Sequence, residues 1–461
     1  MSALTFDELL VGPSLESAPR RARSGSGRTV RIVPRPVLSG SLFVVLATAA
    51  VLVLHGSGER HFAWYGTTLG ALLFAKLVLA LLPARHYCAG PRGTVAAVVP
   101  IHNEDVTALV ECLRSIEEQT RRPDALYLVD DASTDRTATD YARLWAASRP
   151  EWVVFVGLEQ NVGKRHAQAV AFRDGGRFVD FWVTVDSDTV LEPDAVERGL
   201  RPLSDADVAA VTGTVVALNP FEGLLPALID LRYANAFLGD RAAQSRLGSV
   251  LCCCGSLSFW RASVLLDNLE DWTTQSFLGK PATFGDDRRL TRYALDAGRV
   301  ELARDAVGRT TVPERMGHYL RQQARWGRSF WRESYLMLRT GSPRRLAWWL
   351  TGLEVVTTLA FSFGMLSALL LAPLSGRPEA AVGYLGWVCL SAWARSVHIF
   401  AVRDRAPFWR TLASFAVAPA YGFLSLVVLL PLRLWSLVTL RTAAWGTRSR
   451  VEVALAPGGG A

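Results

Sequence analysis

The sequence predicts an α/β domain with a parallel-rich sheet, flanked by transmembrane helices and interfacial amphipathic helices. Three observations carry this. Short β-rich runs alternate with helical patterns between residues 93 and 315; long apolar stretches lie on both sides of that segment; and an Arg- and aromatic-rich run, 316–340, adjoins it. Of 461 residues, 50% are hydrophobic and 20% charged, which argues against a disordered, fibrous or small disulfide-stapled chain. That average conceals a polar domain between apolar ends.

Residues 37–54 hold only Ser and Thr as polar groups, and 62–82 hold one charge, Lys76. Residues 346–374 hold Glu354 alone and 380–402 hold Arg395 alone. Each supplies the roughly 20 apolar residues that cross about 30 Å of hydrocarbon, so 37–82 and 346–402 read as two transmembrane helices each. A secretory signal peptide is not expected, because the first apolar run begins well inside the chain and a second follows it. Arg20, Arg21, Arg23, Arg28, Arg31 and Arg35 precede the first span, Arg85 and Arg92 follow the second, and Arg344 and Arg345 precede the third. Arg403, Arg405 and Arg410 follow the fourth. The positive-inside rule then puts the N-terminus and the α/β domain in the cytoplasm of a multi-pass cell-membrane protein, with the lipid bilayer as a partner. The net charge of +8, from 50 Lys and Arg against 42 Asp and Glu, becomes a record of topology, and nucleic-acid binding loses its support.

Residues 408–440 pose a parity problem, since one crossing would place Arg433, Arg441, Arg448 and Arg450 outside. Pro419 and Gly422 lie mid-stretch, so a re-entrant or short membrane hairpin turning there is expected, packed against protein. Residues 441–461 are expected to form a C-terminal loop and tail. Residues 1–36, rich in Arg, Ser and Gly, are expected to be a disordered cytoplasmic tail.

Within the central domain, 95–100, 125–129, 152–156 and 181–185 read as strands, with 107–119, 134–147 and 164–173 as helices between them. Such alternation implies a parallel sheet, whose ligands bind beyond the carboxyl ends of the strands. Asp130-Asp131 ends the second strand and Asp186-Ser187-Asp188 the fourth. Carboxylates there can cap a turn, accept hydrogen bonds from a base or ribose, or hold a hard cation such as Mg²⁺ or Mn²⁺ that binds phosphate. Gly163-Lys164-Arg165 is a helix start or a cationic contact to a diphosphate, and no P-loop pattern surrounds it. No apolar strand precedes Gly285-Asp286-Asp287-Arg288, which reads as a loop or helix N-terminus. Gln322-Gln323-Ala324-Arg325-Trp326 lies in a helical run that puts Tyr319, Trp326, Phe330 and Met337 on one face, as an interfacial helix requires. Of six cysteines, Cys252, Cys253 and Cys254 are consecutive; in a cytoplasmic domain they imply reduced thiols, and three adjacent residues cannot close around one zinc.

Taken in order, the motifs at Val99–Glu104, Val129–Asp135, Gly163–Arg165, Asp186–Asp188, Gly285–Arg288 and Gln322–Trp326 resemble the family 2 processive glycosyltransferases, which have a GT-A fold. Three further stretches resemble the membrane-embedded hyaluronan synthases. These are Arg232-Tyr233 through Arg241-Ala242-Ala243-Gln244-Ser245 with Cys252 to Leu257, then Thr274 to Gly279 leading into Phe284 to Arg288, then Pro431-Leu432-Arg433-Leu434-Trp435 with Trp445-Gly446-Thr447-Arg448, which is similar to the terminal gating loop of those enzymes. The resemblance implies an enzyme that polymerises UDP-GlcNAc and UDP-GlcA by inverting transfer and passes the growing polysaccharide through its own spans, with no obligate protein partner. The same parts suit a single-sugar synthase, such as a chitin-oligosaccharide synthase using UDP-GlcNAc; a non-catalytic sugar-nucleotide sensor or transport partner is a further class.

Inverting transfer needs a base at the acceptor hydroxyl and neutralisation of charge on the leaving diphosphate. The resemblance assigns the base to Asp287 with Asp286 beside it, and Mg²⁺ or Mn²⁺ to Asp188 and Asp186. It implies UDP contacts from Asp131, Lys164, Arg165, Asp186, Arg325, Trp445 and Arg448. It implies an acceptor pocket of Cys253, Cys254, Gln322, Arg325 and Trp326. One departure stands out: the related enzymes usually read Cys-Ser-Gly-Pro-Leu where this chain has Cys253-Cys254-Gly255-Ser256-Leu257. An altered acceptor pocket is the expected consequence.

Overall fold

The computed structural model describes residues 29–56, 60–282, 284–403 and 407–441. Its centre is an eight-stranded sheet of β1 (Val95–Ile101), β2 (Ala125–Asp130), β3 (Val153–Gly157), β4 (Phe181–Val185), β5 (Thr189–Leu191), β6 (Val208–Ala217), β7 (Leu257–Arg261) and β8 (Arg299–Thr310). The order is β3-β2-β1-β4-β7-β6-β8-β5. Strands β3, β2, β1 and β4 are mutually parallel, as expected from their alternation with helices. Strand β7 enters antiparallel between β4 and β6, and β5 closes the far edge antiparallel to β8. The mixed half was not foreseen because β6 is buried along its whole length and has no period of two to read.

Strand β1 sits near the middle and is buried at all seven residues. Helices Val106–Glu117 and Arg136–Ala147 cover one face of the sheet, and Lys164–Gly175 and Asp286–Ala297 the other. Asp105 caps the first of these by accepting from the amides of Thr107 and Ala108, and Asp135 caps the second through Thr137. Such caps contribute about 1 kcal/mol each and fix where the strand-end loops give way to helix.

Four described helices are long and apolar enough to cross a membrane: Pro36–Gly56, Phe62–Leu81, Leu346–Leu374 and Phe408–Val438. Two sequence expectations are corrected here. Residues 380–402 form a shorter helix, Pro378–Arg395, and a 3₁₀ turn, Ser396–Ala401. This helix is outside those four by composition, with Glu379 and Arg395 at its ends; Tyr384 and Trp387 on it are buried, with the Trp387 ring 5.4 Å from Tyr65 and 5.8 Å from Phe361. The second correction concerns 408–440, where the chain does not turn back at Pro419 and Gly422. Helix Phe408–Ala416 is followed, after Val417, by helical segments to Val438. Pro419 occupies a first helical turn, where a missing N–H costs nothing. Gly422 permits close packing, since a Cβ there would lie 3.0 Å from that of Ala392.

Residues 31–32, expected in a disordered tail, pair antiparallel with Val402–Arg403, and Val30 and Ile32 are buried. The rest of that tail to residue 28, and residues 442–461 with Trp445 and Arg448, lie outside the described residues. Helix Met316–Thr340 buries Tyr319, Phe330, Trp331 and Met337. Trp331 Nε1 donates to the Arg433 carbonyl at 2.8 Å, tying this helix to Leu430–Val438.

Candidate active site

A cavity of about 1360 Å³ begins at the carboxyl ends of β1, β2 and β4 and continues between the membrane helices. Asp131, Asp186 and Asp287 line its start; Leu69, Phe361 and Trp387 line its far end.

The strand ends carry backbone strain. Asn103, two residues past β1, has φ 47°, and Ala132, two past β2, has φ 51°. Non-glycine residues in this region cost free energy and cluster at ligand sites. Asn103 Oδ1 accepts from the amides of Thr134 at 2.8 Å and Asp135 at 3.1 Å, holding the second loop against the first. The Asp131 carboxylate accepts from the amides of Val162 at 2.7 Å and Gly163 at 2.8 Å. Burial raises its pKa, and those two amides oppose the rise. Asp131 therefore shapes the loop leading to Lys164 as well as facing the cavity.

Lys164 and Arg165 are adjacent in sequence but have different partners. The Lys164 ammonium pairs with Asp186 in the cavity wall. Burial works against its charge, but Asp186, Asp287 and Asp286 outweigh it and hold its pKa above the ordinary value. Arg165 turns away: Nε donates to Asp286 Oδ1 at 2.6 Å, both residues are buried, and Arg165 is outside the cavity lining. The expected UDP contact from Arg165 is corrected on this ground, because its guanidinium positions Asp286.

Asp286 and Asp287 open the helix Asp286–Ala297, so the choice left open between loop and helix start resolves to the latter. Gly285 permits the geometry: its φ is 93°, and a Cβ there would sit 2.5 Å from Ser329 Oγ. Asp287 faces the cavity and accepts from the Arg288 amide at 2.8 Å. Burial raises its pKa, Lys164 opposes this, and Asp286 adds to it. A carboxylate so perturbed suits a general base.

Asp186 and Asp188 both face the cavity. Among the described residues no group of three or more His, Cys, Asp or Glu side chains could hold a metal. The pair nevertheless fits a hard divalent cation that takes most of its shell from a diphosphate and water, and the ammonium of Lys164 against Asp186 marks the place as one that holds positive charge. Ser256, which stands where related enzymes are expected to have Pro, donates to Asp186 Oδ2 at 3.1 Å. The departure thus puts a hydroxyl on the Asp186 carboxylate.

Gln322, Arg325 and Trp326 line the cavity, and Trp326 is 41% exposed although the helix puts it on the same face as the buried Tyr319, Phe330 and Met337. Of the two expected cysteines, Cys254 lines the cavity and Cys253 does not. Cys253 is fully buried in the core cluster below, and its amide donates to Thr291 Oγ1 at 2.8 Å. Cys252 was missed: it lines the cavity with its thiol 3.8 Å from Asp287 Oδ2. Cys252 and Cys254 face the cavity while Cys253 between them is in the core, so alternate side chains of this run point opposite ways. Burial pushes the Cys252 thiol up to about 12, with Asp287 adding to the rise, so it stays protonated. The lone span charges Lys76, Glu354 and Arg395 also line the cavity, and Lys76 and Arg395 both pair with Asp240, at 2.8 and 3.3 Å. Charges isolated in apolar stretches were the available signal.

Strained loops at the strand ends, a cavity-facing carboxylate at a helix start and an exposed tryptophan on a cavity that continues between membrane helices fit a UDP-sugar glycosyltransferase of GT-A fold. The chain belongs to glycosyltransferase family 2: the model of the "Glycosyltransferase like family 2" matches residues 91–329. It is similar to a hyaluronan synthase of Streptococcus pyogenes, 37% identical over 418 residues covering 90% of this chain and 97% of that one. It is also similar to an N-acetylglucosaminyltransferase of Mesorhizobium japonicum, 37% identical over 365 residues covering 78% of this chain and 82% of that one. A solved mannosyltransferase from Pyrobaculum calidifontis aligns over 83% of this chain and 99% of that one, with 20% identity and a TM-score of 0.47.

Proposed function

We propose that this protein polymerises UDP-GlcNAc and UDP-GlcA into hyaluronan by inverting transfer, and moves the growing chain through its own membrane helices. The observation that carries the reading is the continuity of one cavity from Asp287 to Leu69, Phe361 and Trp387. An acceptor entering between Trp326 and Asp287 has a path onward that does not retrace the donor's.

The chemistry follows from the placement. Asp287 takes the proton of the acceptor hydroxyl as that oxygen attacks the anomeric carbon; the bond from that carbon to the UDP oxygen breaks on the opposite side, inverting the centre. Asp286, fixed by Arg165, keeps Asp287 at the helix start and disfavours its ionisation, so its basicity is raised. Lys164 stands where it can meet charge developing on the diphosphate. Asp186 and Asp188 would hold Mg²⁺ or Mn²⁺, which when bound neutralises the diphosphate. Trp326 offers an aromatic face to the acceptor sugar beside Gln322 and Arg325. Trp445 and Arg448 are assigned to closure over UDP by resemblance. On this reading the catalytic domain faces the cytoplasm, where UDP-sugars are drawn.

The second reading is a single-sugar polymer made from UDP-GlcNAc, favoured by the similarity to N-acetylglucosaminyltransferases. Charge in the cavity argues for the first. Beyond the nucleotide end the wall carries Lys76, Arg232, Arg241, Arg288, Arg395 and Arg433 against Asp240 and Glu354, an excess of positive charge suited to an acidic polymer. Purified protein given each UDP-sugar alone and then both decides between them: polymer only with both supports hyaluronan, and polymer from UDP-GlcNAc alone rejects it.

A further inference from the structure

We propose that Arg232, Arg288 and Arg433 form a carboxylate subsite that holds a uronate of the growing chain just beyond the acceptor platform. This rests on the reading above and deepens it. The three residues come from separate parts of the chain, the helices Leu224–Ala234, Asp286–Ala297 and Leu430–Val438, and all three line the cavity. Their guanidiniums are held by aromatic rings. Arg288 and Arg433 both stack on Phe330, at 5.2 and 5.1 Å, and Arg232 lies 5.2 Å above Trp326, the acceptor-side ring. Rings fix planar cations in place while leaving their N–H edges available to an anion.

The cluster is short of negative charge. Arg232 and Arg288 both act on Arg433 with like charge, and Glu354 is the acidic group beside them. Glu354 lies 4.0 Å from Arg288 and already accepts from Gln244 Nε2 at 3.1 Å. Arg232 Nη1 is buried with no acceptor in hydrogen-bond geometry among the described residues, although the Tyr319 hydroxyl interacts with this guanidinium. A buried donor without a partner costs roughly 1–3 kcal/mol, so the fold tolerates it where a ligand supplies the acceptor. A planar carboxylate on a sugar seated past Trp326 would meet these donors and balance the charge, whereas a neutral sugar would leave both deficits standing. Adjacency to Asp287 through Arg288 places the subsite next to the reacting centre, so it can register which sugar was added last.

The test is binding of a hyaluronan hexasaccharide and of its methyl ester, which keeps the shape and removes the charge. Both are titrated into detergent-solubilised full-length protein in the presence of UDP. The wild type is expected to prefer the free carboxylate by about tenfold or more. Arg232→Gln and Arg433→Gln are each expected to shrink that preference to about twofold with UDP affinity unchanged, and Arg433→Lys to keep part of it. Equal binding of the two oligosaccharides by the wild type overturns the proposal, as does a full preference retained by both Gln variants. If a Gln variant loses UDP binding through misfolding, Arg433→Lys decides, and an undiminished preference there counts against the subsite. Hyaluronan made without any carboxylate preference defeats this inference alone; a hyaluronidase-resistant product defeats the functional reading beneath it.

Discussion

Arg165 Nε donates to Asp286 Oδ1 at 2.6 Å, joining the helix that begins at the Gly163-Lys164-Arg165 motif to the helix that begins with Asp286 and Asp287. Both partners are nearly inaccessible, at 3% and 9% exposure, so the pair is a buried one. Leaving one member of such a pair without its partner typically costs about 3–5 kcal/mol. Arg165→Met is expected to lower the thermal midpoint by several degrees, and adding Asp286→Asn to recover part of the loss. Thermal unfolding followed by tryptophan fluorescence in detergent checks it. An unchanged midpoint would mean the pair contributes no stability.

Asp287→Asn keeps the shape of the site and removes the base. Polymer formation is expected to fall by about 10²–10⁴-fold, the usual contribution of a general base, while UDP affinity stays within about twofold. Product yield and calorimetric UDP titration measure the two separately. Retained synthesis removes Asp287 from that role.

The pH profile follows from the sign of the Asp287 shift. Burial, joined by Asp286, raises its pKa, and Lys164 pulls it back. Activity needs the ionised form, so the rate falls as pH drops through a pKa above the ordinary carboxylate range. Lys164→Met removes the opposing cation and is expected to move the acidic limb to higher pH. A limb that stays in place or moves to lower pH contradicts this assignment; kcat/KM against pH in both proteins supplies the comparison.

Gly285→Ala puts a Cβ 2.5 Å from Ser329 Oγ at a φ of 93°. The expected cost exceeds about 1 kcal/mol, with displacement of Asp287 and a loss of turnover larger than the loss of UDP affinity. Steady-state kinetics beside UDP titration reads the split.

Chelation by EDTA is expected to abolish turnover, and Mg²⁺ or Mn²⁺ to restore it. Asp188→Asn should raise the metal concentration for half-maximal rate by about tenfold or more. Full activity of the wild type in EDTA would contradict the role given to Asp186 and Asp188.

Much of this site could be read from the sequence because its parts sit where parallel α/β topology puts ligands. Asp131 and the Asp186-Ser187-Asp188 run stand at strand ends, and their loops need no tertiary information to locate. What remained hidden depends on which way neighbouring residues point. Lys164 and Arg165 are chemically alike and adjacent, yet one faces the cavity and the other the core, because successive helix positions are rotated by about 100°. Cys252 and Cys254 face the cavity while Cys253 between them points into the core. The antiparallel insertion of β7 was illegible since β6 is buried on both faces. At 408–438, Pro419 and Gly422 were read as breakers, while the fold uses one to open a helical turn and the other to let Ala392 approach.

On the proposed reading this protein alternates two donors into one acidic polymer. The most direct measurement is product analysis of the purified protein supplied with UDP-GlcNAc and UDP-GlcA together, before and after hyaluronidase. A high-molecular-weight product that needs both donors and is digested to small oligosaccharides is the predicted result. A polymer that resists the enzyme, or that forms equally from UDP-GlcNAc alone, would contradict it.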